Sequence, residues 1–596
     1  MLHLVLALAV LQSPDGAKVY DDHCAVCHAK NDPRTPTLAV LREKSADEIL
    51  AALTGGKMRE QGSDLTDADR HAVASYLGSR NADRGSRTAE SAGRCAATPP
   101  FDPSSGPSWI GWSPDASNTR FQPRPGLASD QISKLTLKWA FGFPNTTTAR
   151  ALPAVAGGRV FVGSTSGIVY ALDARSGCTV WTYQAKGPVR SGIVIAPRRG
   201  ANGKYSAYFG DGRSNVYALD AATGEELWTR NVEEHKSANI TGTPALYNDR
   251  LYVPVASSEE GQGGNAKYEC CTFRGSLVAL DAATGALVWK TYTITAEAKP
   301  VGQNAAGTTR WGPAGAGIWS SPTIDPVRKV VYVSTGNQYT EPQLTTSDSV
   351  VAIDLETGKI KWSSQRLEKD VWIVGCPSPA TTGHNCNPNS SDIGPDYDLG
   401  DSPILTKLPS GKDVIIVGQK SGQGWALDPD RKGAVIWEYR AGRGTALGGI
   451  EWGPAVDGQN AYFAVSDFNL PNPGGLHAVN LTTGQRAWLT PAPPPICTPV
   501  GGGCSGVQSA AISVIPGIVF SGAMDGGLRA YSTTDGSVVW TFDANREFPT
   551  VNGVKGNGAS FGGAGPSIAG GMLFVGSGYG SLAGRAGNVL LAFGVE

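Results

Sequence analysis

The chain has almost no net charge. Its 51 lysines and arginines face 52 aspartates and glutamates, a formal charge of -1, and charged residues make up only 17%, against roughly 25% in an average soluble domain. That balance supplies no field for a nucleic acid or an anionic membrane surface. Methionine and histidine are scarce, 4 and 7 in 596 residues, so each one that falls in a motif carries weight. Long apolar runs are missing as well. The apolar stretch MLHLVLALAV at residues 1–10 is about half of the roughly 20 residues needed to span a bilayer, so it is no transmembrane span. It reads as the remnant of an export signal over residues 1–13, without the basic n-region, or as a buried N-terminal helix. What the chain does have is glycine, 77 residues, with 15 tryptophans and 18 tyrosines. This composition predicts many tight turns between short strands. The length requires more than one domain. Ten cysteines, an even number with several closely spaced, suit a periplasmic or secreted location.

Residues 24–28 read Cys-Ala-Val-Cys-His. This CxxCH spacing attaches a c-type haem: Cys24 and Cys27 take the vinyl groups, and His28 reaches the iron. A zinc site would need two more ligands nearby, but the next cysteine is Cys95, and His23 and His71 stand in no ligand-like spacing. Helical patterns surround the motif: AKVYDDH before it, then SADEILAALTGGKM and the capped SDLTDADRHAVASYL. Met58 follows Gly-Gly-Lys in the turn between the last two helices and is predicted as the second iron ligand. His/Met ligation raises the potential, which suits an electron acceptor. Residues 14–80 resemble a class I cytochrome c, a small all-α domain. The Ser-, Ala-, Pro- and Gly-rich residues 81–107 read as a linker.

One phrase recurs through the remainder: ALDARSGCTVW (171–181), ALDAATGEELW (218–228), ALDAATGALVW (279–289), AIDLETGKIKW (352–362), ALDPDRKGAVIW (426–437), AVNLTTGQRAW (478–488) and AYSTTDGSVVW (530–540). Each joins an alternating strand, a turn with Asp or a substitute and then Gly, and a strand ending in Trp; a further strand such as RVFVGS or VVYVST precedes it. Such a β-meander is a propeller blade. Seven copies are complete. The eighth begins at MLFVGS and stops after VLLAFGVE, while an orphan strand, KLTLKWAF with Trp139, stands at the start. If the orphan completes the last blade, residues 108–596 form a closed all-β ring of eight blades without an exposed edge.

The Asp/Asn-x-x-Thr-Gly-x-x-x-Trp phrase resembles the tryptophan-docking repeat of pyrroloquinoline quinone (PQQ) dehydrogenases. It also occurs in non-catalytic assembly propellers, so the residues at the ring centre must separate the two. GAGIWSSPTID followed by VVYVSTGNQY resembles the family segment in which a flat Trp underlies PQQ and an Asn binds a metal; that implies Trp319 and Asn337. LYVPVASSEEG resembles the stretch with a metal-bound Glu, and strand alignment favours Glu259 over Glu260. GPDYDLGDSPIL implies Asp396 as catalytic base, also beside the metal. Asp398, two residues on, matches an acidic position of lanthanide-dependent relatives. VIIVGQKSG implies Lys420 at the quinone oxygens, PVRSG implies Arg190 on a PQQ carboxylate, and ITGTP implies Thr241 at a hydroxyl contact. Arg150 falls where many members carry Glu, and Glu451 where many carry Asn. The resemblance thus implies PQQ and a hard cation, Ca²⁺ or a lanthanide, held by Glu259, Asn337, Asp396 and Asp398.

Many relatives carry a vicinal Cys-Cys pair in the second blade. Here Cys270 and Cys271 fall in the third, in YECCTFRGSL, and the resemblance implies that they still form a disulfide facing the cofactor. Cys376/Cys386 and Cys497/Cys504 then look like loop disulfides, leaving Cys95 and Cys178 to pair. With its cytochrome placed before the propeller, the chain resembles the polyvinyl alcohol dehydrogenase family. That resemblance implies oxidation of secondary hydroxyls, of a polymer or, alternatively, of small alcohols, with electrons passed from PQQ to haem c and on to an external cytochrome or quinone. The insertions 256–275, 338–348 and 374–398 are predicted to form the rim of the site.

Overall fold

A computed structural model describes residues 15–595 apart from 30–35, 43, 45, 55–57, 59–60, 63–64, 79–92, 99, 105, 377–384, 501–502 and 581–583. The predicted export segment, residues 1–13, lies outside them. The chain divides into two compact units, Met1–Ala92 and Gly93–Glu596.

The first unit is helical, as its periodicity predicts: α1 (Gly16–His23), α2 (Ala25–His28), α3 (Leu38–Leu41), α4 (Ala46–Thr54) and α5 (Asp67–Leu77). Asp15 caps α1 through the Ala17 N–H. Thr66 and Asp69 close a reciprocal capping box at the start of α5, which satisfies N–H groups that a helix start leaves without partners. Val19, Tyr20, Ile49, Leu53, Leu65, Val73 and Leu77 meet in one core, with Met58 packed against it.

The second unit is a ring of eight antiparallel sheets, seven of four strands and one, blade three, with a short fifth strand (Ala238–Asn239). The innermost strands of blades one to eight are Ala154–Ala156, Val194–Pro197, Ala245–Tyr247, Thr323–Asp325, Ile404–Lys407, Ala455–Val456, Ser513–Ile515 and Ser567–Ala569. The orphan strand closes the ring: Thr136–Gly142 pairs with Val589–Gly594 as the outer strand of blade eight. Repetition works through one interaction. The indole N–H of Trp139 donates to the Ala174 carbonyl, Trp181 to Ala221, Trp228 to Ala282, Trp289 to Leu355, Trp437 to Leu481, Trp488 to Thr533 and Trp540 to Leu135, at 2.8–3.3 Å. Each bond ties one blade to the next. The turn glycine is needed for the fit: at Gly224, φ is +78° and an added Cβ would lie 2.7 Å from the Trp181 ring.

Two features were not legible in the repeat. Residues 93–107, predicted as linker, belong to the propeller. Cys95 is disulfide-bonded to Cys178 and its N–H bonds to the Thr179 carbonyl, while Phe101 packs edge-on against Phe161 and Tyr205. A polar composition concealed these anchors. Residues 109–122 then run across the ring axis. Trp109 pairs with Val155 of blade one, and the carbonyls of Ile110, Ala116, Ser117, Thr119 and Arg120 accept N–H groups from blades two, four, five, six and seven. Gln122 Nε2 reaches Ile568 of blade eight. Arg120 is fully buried, and its guanidinium donates to the carbonyls of Ile512, Trp112, Ala564 and Pro566 and to the Ser513 hydroxyl. Burial lowers its pKa to about 9.

The Cys95–Cys178 bond closes a loop with a sequence separation of 83. Replacing both cysteines with serine is expected to destabilise the propeller by about 2–4 kcal/mol, read from denaturant midpoints. An unchanged midpoint would show that the hydrogen bonds beside it suffice.

Candidate active site and haem site

In the first unit, His28 is buried, and its Nδ1 lies 2.7 Å from the Pro36 carbonyl. A carbonyl only accepts, so Nδ1 carries the proton and Nε2 keeps its lone pair for a metal. Cys24 ends the first helix and Cys27 lies in α2, one residue before His28; the side chain of Cys27 lies outside the described residues. The other eight cysteines are paired, Cys95 with Cys178, Cys270 with Cys271, Cys376 with Cys386 and Cys497 with Cys504, as expected. The residues present fit a covalently bound haem.

In the propeller, Trp319 lies at the centre of a polar site. Two glycines make room for its ring: a Cβ on Gly400 would come 2.0 Å from Cη2, and one on Gly336 would lie 3.1 Å from Nε1. The Thr241 hydroxyl donates to the Trp319 carbonyl at 3.2 Å. Trp452 meets Trp319 edge-on at 5.2 Å, and the Arg190 guanidinium lies 4.6 Å from the Trp452 ring centre. Arg150, Arg190, Thr241, Trp319 and Trp452 line one cavity with Trp112 of the axial segment. Burial lowers the Arg190 pKa to about 10, and Arg150 acts in the same direction. Two guanidiniums beside aromatic faces form an anion-binding wall.

The Lys420 ammonium sits 5.8 Å from the Trp319 ring centre. It bonds Asp398 Oδ2 at 2.6 Å and Asp396 Oδ1 at 3.2 Å. Asp398 Oδ1 accepts the Asn337 N–H at 2.6 Å. The Asn337 amide donates through Nδ2 to the carbonyls of Trp372 and Gln338 at 2.7 and 3.2 Å. Its orientation is thereby fixed and Oδ1 is presented as an acceptor. The structure thus brings together Thr241, Trp319, Asn337, Asp396, Asp398, Lys420 and Arg190, with Arg150 and Glu451 beside them.

One expectation needs correction. Glu259 is fully buried, but its oxygens accept the N–H groups of Thr272 and Phe273 at 2.8–3.1 Å and the Tyr268 hydroxyl at 3.0 Å. It clamps the loop just after the vicinal disulfide. The neighbouring Glu260 is the carboxylate in electrostatic contact with Asp398 and Lys420. Strand alignment misled here because the residues form a helical turn, Glu259–Gln262, which turns the two side chains to different sides. Cys270 and Cys271 are also fully buried, in one cluster with Phe273, Tyr339 and Ile373.

Charge distinguishes this site. Burial pushes Glu260 up to about 8 with help from Asp398, Glu451 up to about 7 against Lys420 and Arg190, and Asp370 up to about 6. Burial also raises Asp396 and Asp348 well above the carboxylate range. Both oxygens of the fully buried Asp348 lack a hydrogen-bond partner among the described residues. Burial disfavours the Lys420 cation, yet Asp396, Asp398, Glu260 and Glu451 outweigh it and hold the ammonium charged. Six carboxyl groups are coupled to a single ammonium. Such an excess of hard oxygen donors suits the chemistry of a hard cation, although among the described residues no three of the carboxylates are gathered closely enough to hold one as they lie. Asp348, Asp370 and Gly400 were missed because no periodicity marks loop residues; only Gly400 lay in a sequence signal, the DxDxG run at 396–400.

Comparison with known proteins agrees with this geometry. Residues 109–384 match the family model described as glucose/ethanol/alcohol dehydrogenase, beta-propeller domain, and residues 12–77 match cytochrome C oxidase, cbb3-type, subunit III. Among solved structures, the quinohemoprotein alcohol dehydrogenase of Comamonas testosteroni superposes with a TM-score of 0.56 at 20% identity, covering 82% of this chain and 80% of that one. A europium-containing methanol dehydrogenase superposes with a TM-score of 0.57 at 18% identity, covering 82% and 98%. A haem-binding unit fused to a PQQ propeller defines the class, a quinohaemoprotein dehydrogenase. Within it, the polyvinylalcohol dehydrogenase of a Pseudomonas species is 41% identical over 99% of this chain and 94% of its own length, and that of Sphingopyxis sp. (strain 113P3) is 41% identical over 98% and 93%. The chain belongs to the polyvinyl alcohol dehydrogenase family.

The raised carboxyl groups set a pH dependence for protein free of cofactor and cation. In the unfolded chain Glu260 and Glu451 titrate near 4.5; in the folded chain they titrate at about 8 and about 7. The folded state therefore binds protons more tightly. Its stability is fullest below about pH 4.5 and falls as pH rises through 7 and 8. Melting temperatures measured from about pH 5 to about pH 8.5 should decline, and added Ca²⁺ should oppose the decline. A profile that rises with pH would contradict the assignment.

Proposed function

We propose that this chain oxidises secondary hydroxyl groups, those of polyvinyl alcohol foremost, to ketones in the periplasm or outside the cell, using PQQ and passing the electrons to its own haem c and then to an external acceptor. The observation that carries the reading is the buried Lys420–Asp396–Asp398 cluster beside Trp319. Family membership and the relatives' activity support it. When bound, PQQ supplies an o-quinone that accepts hydride from the alcohol carbon, and the cation polarises the quinone carbonyl. Trp319 would provide a flat face for the cofactor, Arg190 and Arg150 would offer cations to its carboxylates, and Thr241 would offer a hydroxyl contact. Glu260, Asn337 Oδ1 and Asp396 would supply oxygen donors for Ca²⁺ or a lanthanide, with Asp398 beside them holding Asn337 and Lys420.

Asp396 takes the hydroxyl proton of the substrate. Both oxygens of Asp398 are engaged, one by Asn337 and one by Lys420, whereas Asp396 shares only Oδ1 with Lys420. Its raised proton affinity suits a general base. Lys420 holds its charge and offsets the negative charge that develops during oxidation. His28 and Met58 ligate the haem iron. Oxidation yields two electrons and haem carries one, so the haem turns over twice per hydroxyl. No described helix is long and apolar enough to cross a membrane.

The test is haem reduction in protein reconstituted with PQQ and Ca²⁺, on adding polyvinyl alcohol or a simple secondary alcohol. PQQ-dependent reduction is expected, and faster reduction by the polymer would select it over small alcohols. A haem that stays oxidised, with a propeller that takes up no PQQ, would indicate a non-catalytic scaffold. Asp396→Asn should retain PQQ and lower kcat by about 10²–10⁴-fold. Met58→Ala should abolish the low-spin His/Met absorption spectrum; an unchanged spectrum would move the sixth ligand elsewhere.

A further inference from the structure

Asp370 stands outside the blades, on the segment that leads from the last strand of blade four towards blade five, and is 2% exposed. Its carboxylate is spent on backbone. Oδ1 accepts the Asp396 N–H at 3.0 Å, and Oδ2 accepts the Tyr397 N–H at 2.7 Å. The same short stretch also grips blade four. The Asp370 carbonyl accepts the Gln338 N–H at 3.1 Å, the Trp372 N–H donates to the Gln338 carbonyl at 2.8 Å, and the Trp372 carbonyl accepts Asn337 Nδ2 at 2.7 Å. Residues 370–372 therefore hold Asn337 on one side and Asp396 on the other.

Asp396 needs such a hold. It lies in a segment with no strand or helix, and its φ is +61°, the left-handed region that residues with a Cβ avoid. Two adjacent N–H groups in that turn converge on one carboxylate. Gly394 completes the fit, since a Cβ there would lie 2.1 Å from Asp370 Oδ1. We propose that Asp370 is a positioning residue that sets Asp396 against Asn337, and through them sets the base against the cation. This rests on the reading of Asp396 as base and Asn337 as cation donor. The chemistry requires a carboxylate: it has two acceptor oxygens for two N–H groups. An amide of the same shape has one, and its NH₂ would face a backbone N–H.

Asp370→Asn in the full-length protein loaded with PQQ and haem tests this. Three measurements are needed: steady-state kinetics with a secondary alcohol, Ca²⁺ binding by calorimetry, and melting temperature. We expect PQQ uptake and the haem spectrum to match the parent protein, the melting temperature to fall by a few degrees for the unpaired N–H, and KM to change little. The kcat should fall by about 10²-fold, the usual cost of a misplacement of about 1 Å at a reacting group. Ca²⁺ affinity should weaken by about tenfold or more. Asp370→Glu, which keeps both acceptors on a longer stem, should recover part of kcat. A parent-like kcat and Ca²⁺ affinity in Asp370→Asn, with Asp396→Asn inactive, would overturn the positioning role alone. A lowered melting temperature with PQQ uptake lost in parallel would make Asp370 structural and also overturn it. Turnover by Asp396→Asn would instead show that the base had been misassigned.

Discussion

The active site depends on closure of the ring. Its residues come from the ends of inner strands or from crossings between blades: Arg190 from the crossing between blades one and two, Trp319 between three and four, Asn337 after a strand of blade four, Asp396 and Asp398 between four and five, Lys420 in blade five and Trp452 between five and six. No single sheet holds two sides of the site. Only the angular spacing of the blades brings them onto one tryptophan. That spacing is held by the interblade indole bonds and by the pairing of Thr136–Gly142 with the end of the chain. A propeller opened at this pairing would keep seven of its sheets whole and lose the site.

Within the ring, charge was placed against folding stability. Four other carboxyl groups accompany the Asp396–Asp398 pair around one ammonium, and several have proton affinities raised by burial. Buried carboxylates without enough counter-charge oppose folding unless something neutralises them. Protons would do so in the protein alone, and the proposed cation would do so in the loaded enzyme. Binding and stability would then be linked: the group proposed to equip the site for oxidation would also remove its main electrostatic fault.

Much of this was legible in the sequence, for identifiable reasons. The Asp-x-x-Thr-Gly-x-x-x-Trp phrase encodes a turn, a close packing contact and an interblade hydrogen bond at fixed spacing, so it exposes the blades and the orphan strand alike. CxxCH exposes the haem because covalent attachment fixes the order of thiols and imidazole. Trp319, Asn337 and Lys420 could be named because the segments that carry them resemble those of the family. Asp370 could not, because it lies on an excursion whose course depends on distant partners. A helical turn exchanged the roles of Glu259 and Glu260. The value of Asp370 arises from two amides 26 and 27 residues away. Residues 93–107 failed for a related cause: their composition is that of a tether, and their anchors are a disulfide and an aromatic contact far along the chain.

The segment 109–122 has a consequence for substrate traffic. Because it bonds to blades one, two and four to eight, and Trp112 faces the same cavity as Trp319, its main chain lies along one end of the ring, behind the site. On the proposed function, a polymer drawn through the ring like thread through a bead would have to pass this segment. Hydroxyl groups would instead be dipped in from the opposite mouth and withdrawn by the same route, wherever a bend of the polymer is supple enough to enter.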